Sequence, residues 1–301
     1  MKRSLSLFII LIFASTLAAQ DKTVNPGVNK SFENPKVKKI EPSTICDAKR
    51  DVNGVLVHAV RSPYQAGNTK IRVLLPERIQ EGRRSVVVYV LPVEAGDGSR
   101  YGDGLIEIKK HGLHNKYGAI FVAPTFSHLP WYADHPTNQK IRQETYFVNV
   151  VVPFVEKTYS TLPQPEGRLL LGFSKSGWGA WSLLLRHPGT FGRAAAWDSP
   201  LMMEQLGKYG APGIFETQRQ FERYRITDLL KAKNLQKNHR LILMGYGGFR
   251  RHHQKVHALM LSLKIPHEYR DGPARKHDWH SGWVSEAVEL LLSGHRSVER
   301  K

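Results

Sequence analysis

A single cysteine, Cys46, stands in 301 residues, so no disulfide can form within the chain and the fold has to be held by packing. Acidic residues are scarce: 26 Asp and Glu face 44 Lys and Arg, giving a formal charge of +18 and a pI near 10.0. An excess of that size favours acidic polymers and anionic surfaces through long-range attraction. Nucleic acid is disfavoured as the partner, because zinc-ligand spacing, an RNA-binding aromatic signature and a recognition-helix pattern are all missing. An acidic polysaccharide or a cell-envelope component then remains, beside the plainer reading of a basic, soluble surface. No internal repeat or low-complexity tract occurs. Past residue 19, no apolar run approaches the ~20 residues a helix needs to cross a bilayer.

The amino terminus has its own pattern. Lys2 and Arg3 precede a nearly all-apolar stretch at 5–13, and small residues follow at Ala14, Ser15, Ala18 and Ala19 before polar Gln20 and Asp21. That order is expected of a secretory signal over 1–19, cleaved near Ala18 or Ala19, which points to a secreted or periplasmic protein. Cleavage removes Lys2 and Arg3 and leaves +16 of the +18. Residues 20–50 carry Pro26, Pro35 and Pro42 among lysines and polar residues, and read as a linker or loosely attached arm. The remaining 51–301 is long enough for one large domain.

Within 51–301, short apolar runs alternate with helical patterns. Runs at 55–60 and 71–75 read as an antiparallel start. Those at 85–91, 119–123, 168–171, 194–197 and 241–244 read as strands buried on both faces, as a covered parallel sheet requires, and 265–270 reads as the last strand. Between them, Tyr146, Phe147, Val150, Val151 and Phe154 recur at helical spacing, and so do Trp178, Trp181, Leu184 and Leu185. Strands alternating with helices imply βαβ units, three layers, and ligands at the carboxyl ends of the strands.

The sharpest local signal is RLLLGFSKSGWGA at 168–180, where an apolar strand runs directly into a helical pattern. So tight a strand-to-helix turn strains its central residue and needs small neighbours two before and two after, here Gly172 and Ser176. Ser174 at the centre would present its hydroxyl at a helix amino terminus, where dipole and free N–H groups favour negative charge. The Lys175 N–H is then one candidate donor to an oxyanion.

Three segments, GFSKSGWGA, QETYFVNVVVPFVEKTY before it and KHDWHSGW near the end, resemble the esterase branch of the α/β hydrolases. This is the group of feruloyl and acetylxylan esterases, esterase D-like enzymes and mycolyltransferases. The likeness runs from about Ile71 to Leu292. It implies a three-layer α/β-hydrolase fold, a mostly parallel central sheet flanked by helices, and ester cleavage by Ser, acid and His in that chain order, without a cofactor or a metal. It places the base at His277, in the loop after the last strand, with His280 as the nearest competitor. His252, His253 and His257 have helical spacing but no carboxylate or cysteine beside them, and no metal is expected there.

Two positions depart from the family pattern. Relatives carry an Asp shortly after the strand ending here at Met244, where this chain reads Gly245-Tyr246-Gly247-Gly248-Phe249. Asp198, after the strand at 194–197, is the expected replacement; it could equally be a turn-former before Ser199-Pro200, and Asp271 and Asp278 are weaker candidates. Relatives also follow the strand at 85–91 with His-Gly, which supplies a second oxyanion donor. Here Pro92 has no N–H, and Val93 or Glu94 would have to donate. Trp131 and Tyr132 follow a strand and either stack on a sugar or aromatic acyl group or cap the core. The expected function is a secreted serine esterase cleaving or transferring a carboxylic ester, carbohydrate-linked, through Ser174, His277 and Asp198. The second reading is a protein of this fold with weak or lost catalysis that binds an acidic glycan or envelope component.

Overall fold

The computed structural model describes residues 41–78, 82–232 and 239–293, and in it the apolar runs become one ten-stranded sheet. The leader and residues 20–40 lie outside the described residues. The strands are β1 (Thr44–Ile45), β2 (Lys49–Arg50), β3 (Leu56–Arg61), β4 (Asn68–Leu74), β5 (Val87–Val90), β6 (Ile120–Pro124), β7 (Arg168–Phe173), β8 (Arg193–Trp197), β9 (Leu241–Tyr246) and β10 (His267–Ala274). Their spatial order is β1-β3-β4-β6-β5-β7-β8-β9-β10, with β2 also paired to β3. Pairs from β1 to β6 along this order are antiparallel, and β6 through β10 are parallel. This is the α/β-hydrolase arrangement.

The arm expected over 20–50 does not extend that far. Thr44 pairs with Arg61 and Ile45 with Val60, while Lys49 and Arg50 pair with Val57 and Leu56. The outer edge of β3 offers unpaired backbone groups, and these two short segments satisfy them despite having almost no apolar pattern of their own.

Alternation along the central strands divides the core in two. Val87, Tyr89 and Leu91 face one side with Leu170, while Val88 and Val90 face the other with Leu169, Leu171 and Phe173. Helices Val152–Thr158, Ser174–Arg186 and Arg250–Ser262 cover the first face. Helices Gly104–Lys110, Leu113–Tyr117 and Val284–Leu292 cover the second. Ahead of Val152–Thr158, residues Phe147–Val151 form a π turn. Pro153 can neither donate an N–H nor tolerate the carbonyl four residues back, so the helix widens just before it.

Tyr132 and Gly179 show how tightly the first face is filled. A Cβ on Gly179 would sit 2.1 Å from Tyr132 Cδ2, and Tyr132 is fixed by a hydrogen bond from its hydroxyl to the Pro92 carbonyl at 2.6 Å. Replacing a helical glycine by alanine gains about 1 kcal/mol of propensity. Overpacking a filled core costs about 1–3 kcal/mol. Gly179→Ala is therefore expected to lower the thermal midpoint by a few degrees in a calorimetric scan, at about 2–4 °C per kcal/mol. A raised midpoint would show that Tyr132 yields freely.

Candidate active site

Ser174 opens the helix Ser174–Arg186 directly from the end of β7, and its φ of 51° lies in the left-handed region that a side chain disfavours. The surrounding residues hold that geometry. A Cβ on Gly172 would fall 2.3 Å from the Ser176 carbonyl oxygen, so only glycine fits there. Ser176 stands where a second glycine is usual and closes the turn: its hydroxyl donates to the Phe173 carbonyl at 2.9 Å and accepts the Phe173 N–H at 3.1 Å.

The neighbouring strand β8 ends in a second strained turn. Asp198 has φ 39° and is fully buried. Its carbonyl accepts the Ser174 N–H at 3.2 Å, and the Ser199 hydroxyl donates to the Ser174 carbonyl at 2.6 Å. Both backbone groups of Ser174 are thus held by residues 198 and 199. Behind them, the Ser199 N–H donates to His253 Nε2 at 2.8 Å.

The Asp198 carboxylate meets His277 across the carboxyl ends of the strands. His277 Nδ1 lies 2.6 Å from Asp198 Oδ2, and since an ionised carboxylate only accepts, Nδ1 carries the proton and Nε2 is left with a lone pair. Asp198 Oδ2 also accepts the Gly248 N–H at 2.9 Å, and Oδ1 the Phe249 N–H at 2.7 Å. Burial alone would raise the Asp198 pKa, but the His277 bond and the N–H groups of Gly247, Gly248 and Phe249 outweigh it and hold the carboxyl below its ordinary value. The segment in which relatives keep their acid has become the N–H cradle of an acid one strand away. Among the described residues the Ser174 hydroxyl makes no hydrogen bond, so its link to His277 is open in this conformation; such bonds tighten when substrate arrives.

Phe173, Tyr101, Phe249 and Trp197 surround the His277 ring, with centroids at 5.1, 5.7, 5.7 and 6.3 Å. Half-exposed Tyr209 continues this rim, 5.6 Å from Phe249. The sequence reading missed Tyr101, Phe249 and Tyr209; for the first two, the usable signal was an aromatic in a loop leaving the carboxyl end of a central strand. On the oxyanion side, Val93 is buried, and among the described residues neither its N–H nor that of Lys175 is bonded to another backbone group.

The other sequence candidates lie elsewhere. Trp131 and Tyr132, proposed to stack on substrate, are fully buried, with Trp131 edge-on to Trp178 at 5.2 Å and its indole N–H on the Tyr209 carbonyl. They cap the core, and no ring face is left for a ligand. His280, the competitor of His277, bonds to buried Glu107 at 2.7 Å and accepts the Asp103 N–H, tying the final loop to helix Gly104–Lys110. Asp271 pairs with Arg250 at 2.8 Å. His252, His253 and His257 contact Met202, Ser199 and His267 separately, so they do not converge on one point.

Residues 62–264 match the family model described as "Putative esterase". Esterase Rv1288 of Mycobacterium tuberculosis (strain ATCC 25618 / H37Rv) is 25% identical over 142 residues, which cover 46% of this chain and 30% of that protein's length. Among solved structures, a ferulic acid esterase superposes with a TM-score of 0.61 at 18% identity, covering 85% of this chain and 98% of its own. An S-formylglutathione hydrolase from Agrobacterium tumefaciens reaches 0.63 at 13% identity, covering 84% and 98%.

Two measurements probe this network. A Cβ on Gly247 would lie 2.7 Å from Asp198 Oδ2 and 2.9 Å from the Arg275 carbonyl, whereas one on Gly248 meets nothing within 4 Å. Gly247→Ala should slow acylation of Ser174 by a fluorophosphonate roughly 10²-fold, as misplaced catalytic groups do, with Gly248→Ala close to wild type; equal rates in the two variants would contradict the cradle. The second concerns His253, whose pKa burial lowers to about 4. Between the ordinary histidine value and about 4 the unfolded chain binds a proton that native His253 refuses, so stability is complete above that window and falls as pH drops through it. Urea unfolding at about pH 7.5 and about pH 5 should show wild type losing on the order of 2 kcal/mol more than His253→Gln. Equal losses would assign the pH dependence to other groups.

Proposed function

Because the chain belongs to the esterase family, we propose that it cleaves carboxylic esters, with Ser174 as nucleophile, His277 as base and Asp198 as the acid that orients it. The observation that carries this reading is the 2.6 Å bond between His277 and a buried Asp198 whose own backbone grips the strained Ser174 turn. In the reaction Ser174 Oγ bonds to the ester carbonyl carbon while His277 Nε2 takes the hydroxyl proton. Asp198 stabilises the imidazolium, and the negative oxygen of the tetrahedral intermediate is received by the Lys175 and Val93 N–H groups. The carbon–oxygen bond to the alcohol then breaks and that oxygen takes the proton from His277. Water attacks the acyl-Ser174 with His277 again as base, returning the free acid and the serine; an alcohol in place of water gives acyl transfer.

Carbohydrate-linked esters fit the exposed rim, since Tyr101, Phe249 and Tyr209 offer flat faces to a sugar or an aromatic acyl group. The fold likeness to a ferulic acid esterase is consistent with that choice. Secretion is supported by the order Lys2, Arg3, apolar 5–13 and small residues to Ala19.

One observation favours the second reading, a protein of this fold with little catalysis: Pro92 stands where relatives donate an N–H, and one lost oxyanion donor costs about 10²–10³ in rate. Labelling with a fluorophosphonate separates the two. Wild type should label, Ser174→Ala should not, and Asp198→Asn should label roughly 10⁴-fold more slowly because the wrong tautomer is held. Absence of labelling in wild type would overturn the esterase reading in favour of a binding protein.

A further inference from the structure

Among the described residues, most partly buried cations have found a carboxylate. Arg72 pairs with Asp103 and Arg142 with Asp134, each at 2.8 Å, and Arg225 with Asp228 at 2.7 Å. Two cations at the mouth of the candidate site have not. Lys175 directly follows the nucleophile and is half-buried, and among the described residues its ammonium makes neither a hydrogen bond nor an ion pair. A lysine so placed is seldom left without a partner. Arg100 lies on the loop after β5, exposed and without an ion pair among the described residues. Its guanidinium is 5.2 Å from the centre of the Tyr101 ring, which is itself 5.7 Å from the His277 ring.

Asp198 is held by His277 and two backbone N–H groups, which leaves Glu94, itself accepting the Tyr101 N–H at 3.4 Å, as the carboxylate that acts on Lys175. Burial lowers the Lys175 pKa, Glu94 counters it and Arg100 adds to it, so one carboxylate stands against two cations. An anion entering beside them would supply the missing partner in a site already partly shielded from water, where such attraction is strongest. The overall charge of +18 would speed its approach.

We infer that Lys175 and Arg100 form a subsite for a carboxylate carried on the non-reacting part of the ester. The inference rests on the reading of Ser174 as nucleophile. A lysine supplies a compact charge and an arginine a fork that takes a carboxylate in two-point contact. The substrate is then an acidic ester, with the carboxylate on either its acyl or its alcohol part.

The test uses two pairs of esters that differ in one charge: para-acetoxybenzoate against its methyl ester, and mono-para-nitrophenyl glutarate against its methyl ester. The first pair places the charge on the alcohol side, the second on the acyl side. Binding to Ser174→Ala is measured by titration calorimetry and turnover by wild type as kcat/KM. In one of the pairs the anionic ester is expected to bind and turn over at least about tenfold better at low salt, and less so at about 0.5 M salt. That pair identifies the side on which the charge belongs. In the double variant Lys175→Gln, Arg100→Gln the ratio of anionic to neutral ester should fall to within about twofold; general loss of competence cancels in a ratio. Lys157→Gln, on an exposed residue of helix Val152–Thr158 near the opposite end of the sheet, should keep the preference. Equal affinity within both pairs, or a preference that survives the double variant, would overturn the inference. Binding preference without turnover of any ester would instead overturn the esterase reading and leave the subsite standing.

Discussion

The site depends on the turn of Asp198 and Ser199 gripping both backbone groups of Ser174. A residue with a side chain at φ 51° would relax if its N–H and carbonyl were free, and relaxation would swing the hydroxyl away from the strand ends. Here the N–H is bound by the Asp198 carbonyl and the carbonyl by the Ser199 hydroxyl, at 3.2 and 2.6 Å. The same two residues supply the carboxylate to His277 and the N–H to His253. The proposed nucleophile, acid and base are therefore located by one short stretch of chain, and strain at position 174 is held by the hydroxyl at position 199.

The acid's position follows from the same economy. In relatives the acid stands after the strand corresponding to β9, one strand further from the nucleophile. This chain places it after β8, in contact with the nucleophile's own backbone, and the vacated loop contributes N–H groups in its stead. A buried carboxylate needs such donors to stay ionised, because removing it from water favours the neutral acid. Gly247, where a Cβ would lie 2.7 Å from Asp198 Oδ2, lets the loop come close enough to give them.

The fold was legible because strands covered on both faces are written as unbroken apolar runs, and each of the runs at 85–91, 168–171 and 241–244 lies on a strand. The strained turn at Ser174 was legible from the small residues it demands, and the place of Asp198 from its following the strand next after the one that carries Ser174. β1 and β2 were not, since Thr44-Ile45 and Lys49-Arg50 are ordered by the open edge of β3 and not by their own pattern. Trp131 and Tyr132 misled because an aromatic in a loop after a strand can turn either way. What turns Tyr132 inward is a bond to Pro92, forty residues distant, which no local pattern records. The pairing of Ser199 with His253 is hidden for the same reason.

Two imidazoles meet this turn: His277 at the Asp198 carboxylate and His253 at the N–H of Ser199. His277 is half-buried, and its Nδ1 bonds the carboxylate at 2.6 Å. His253 is almost fully buried, and its Nε2 accepts the Ser199 N–H; a proton there would destroy the acceptor that fixes the turn. The Asp198 charge favours protonation of His253, but burial overrides it and holds that ring's pKa low. The interior ring therefore stays an acceptor for the Ser199 N–H, and the turn that carries Asp198 is held by a histidine that burial keeps dry. In the proposed mechanism the same carboxylate assists proton transfer at His277, so the packing around His253 supports the placement of the proposed acid.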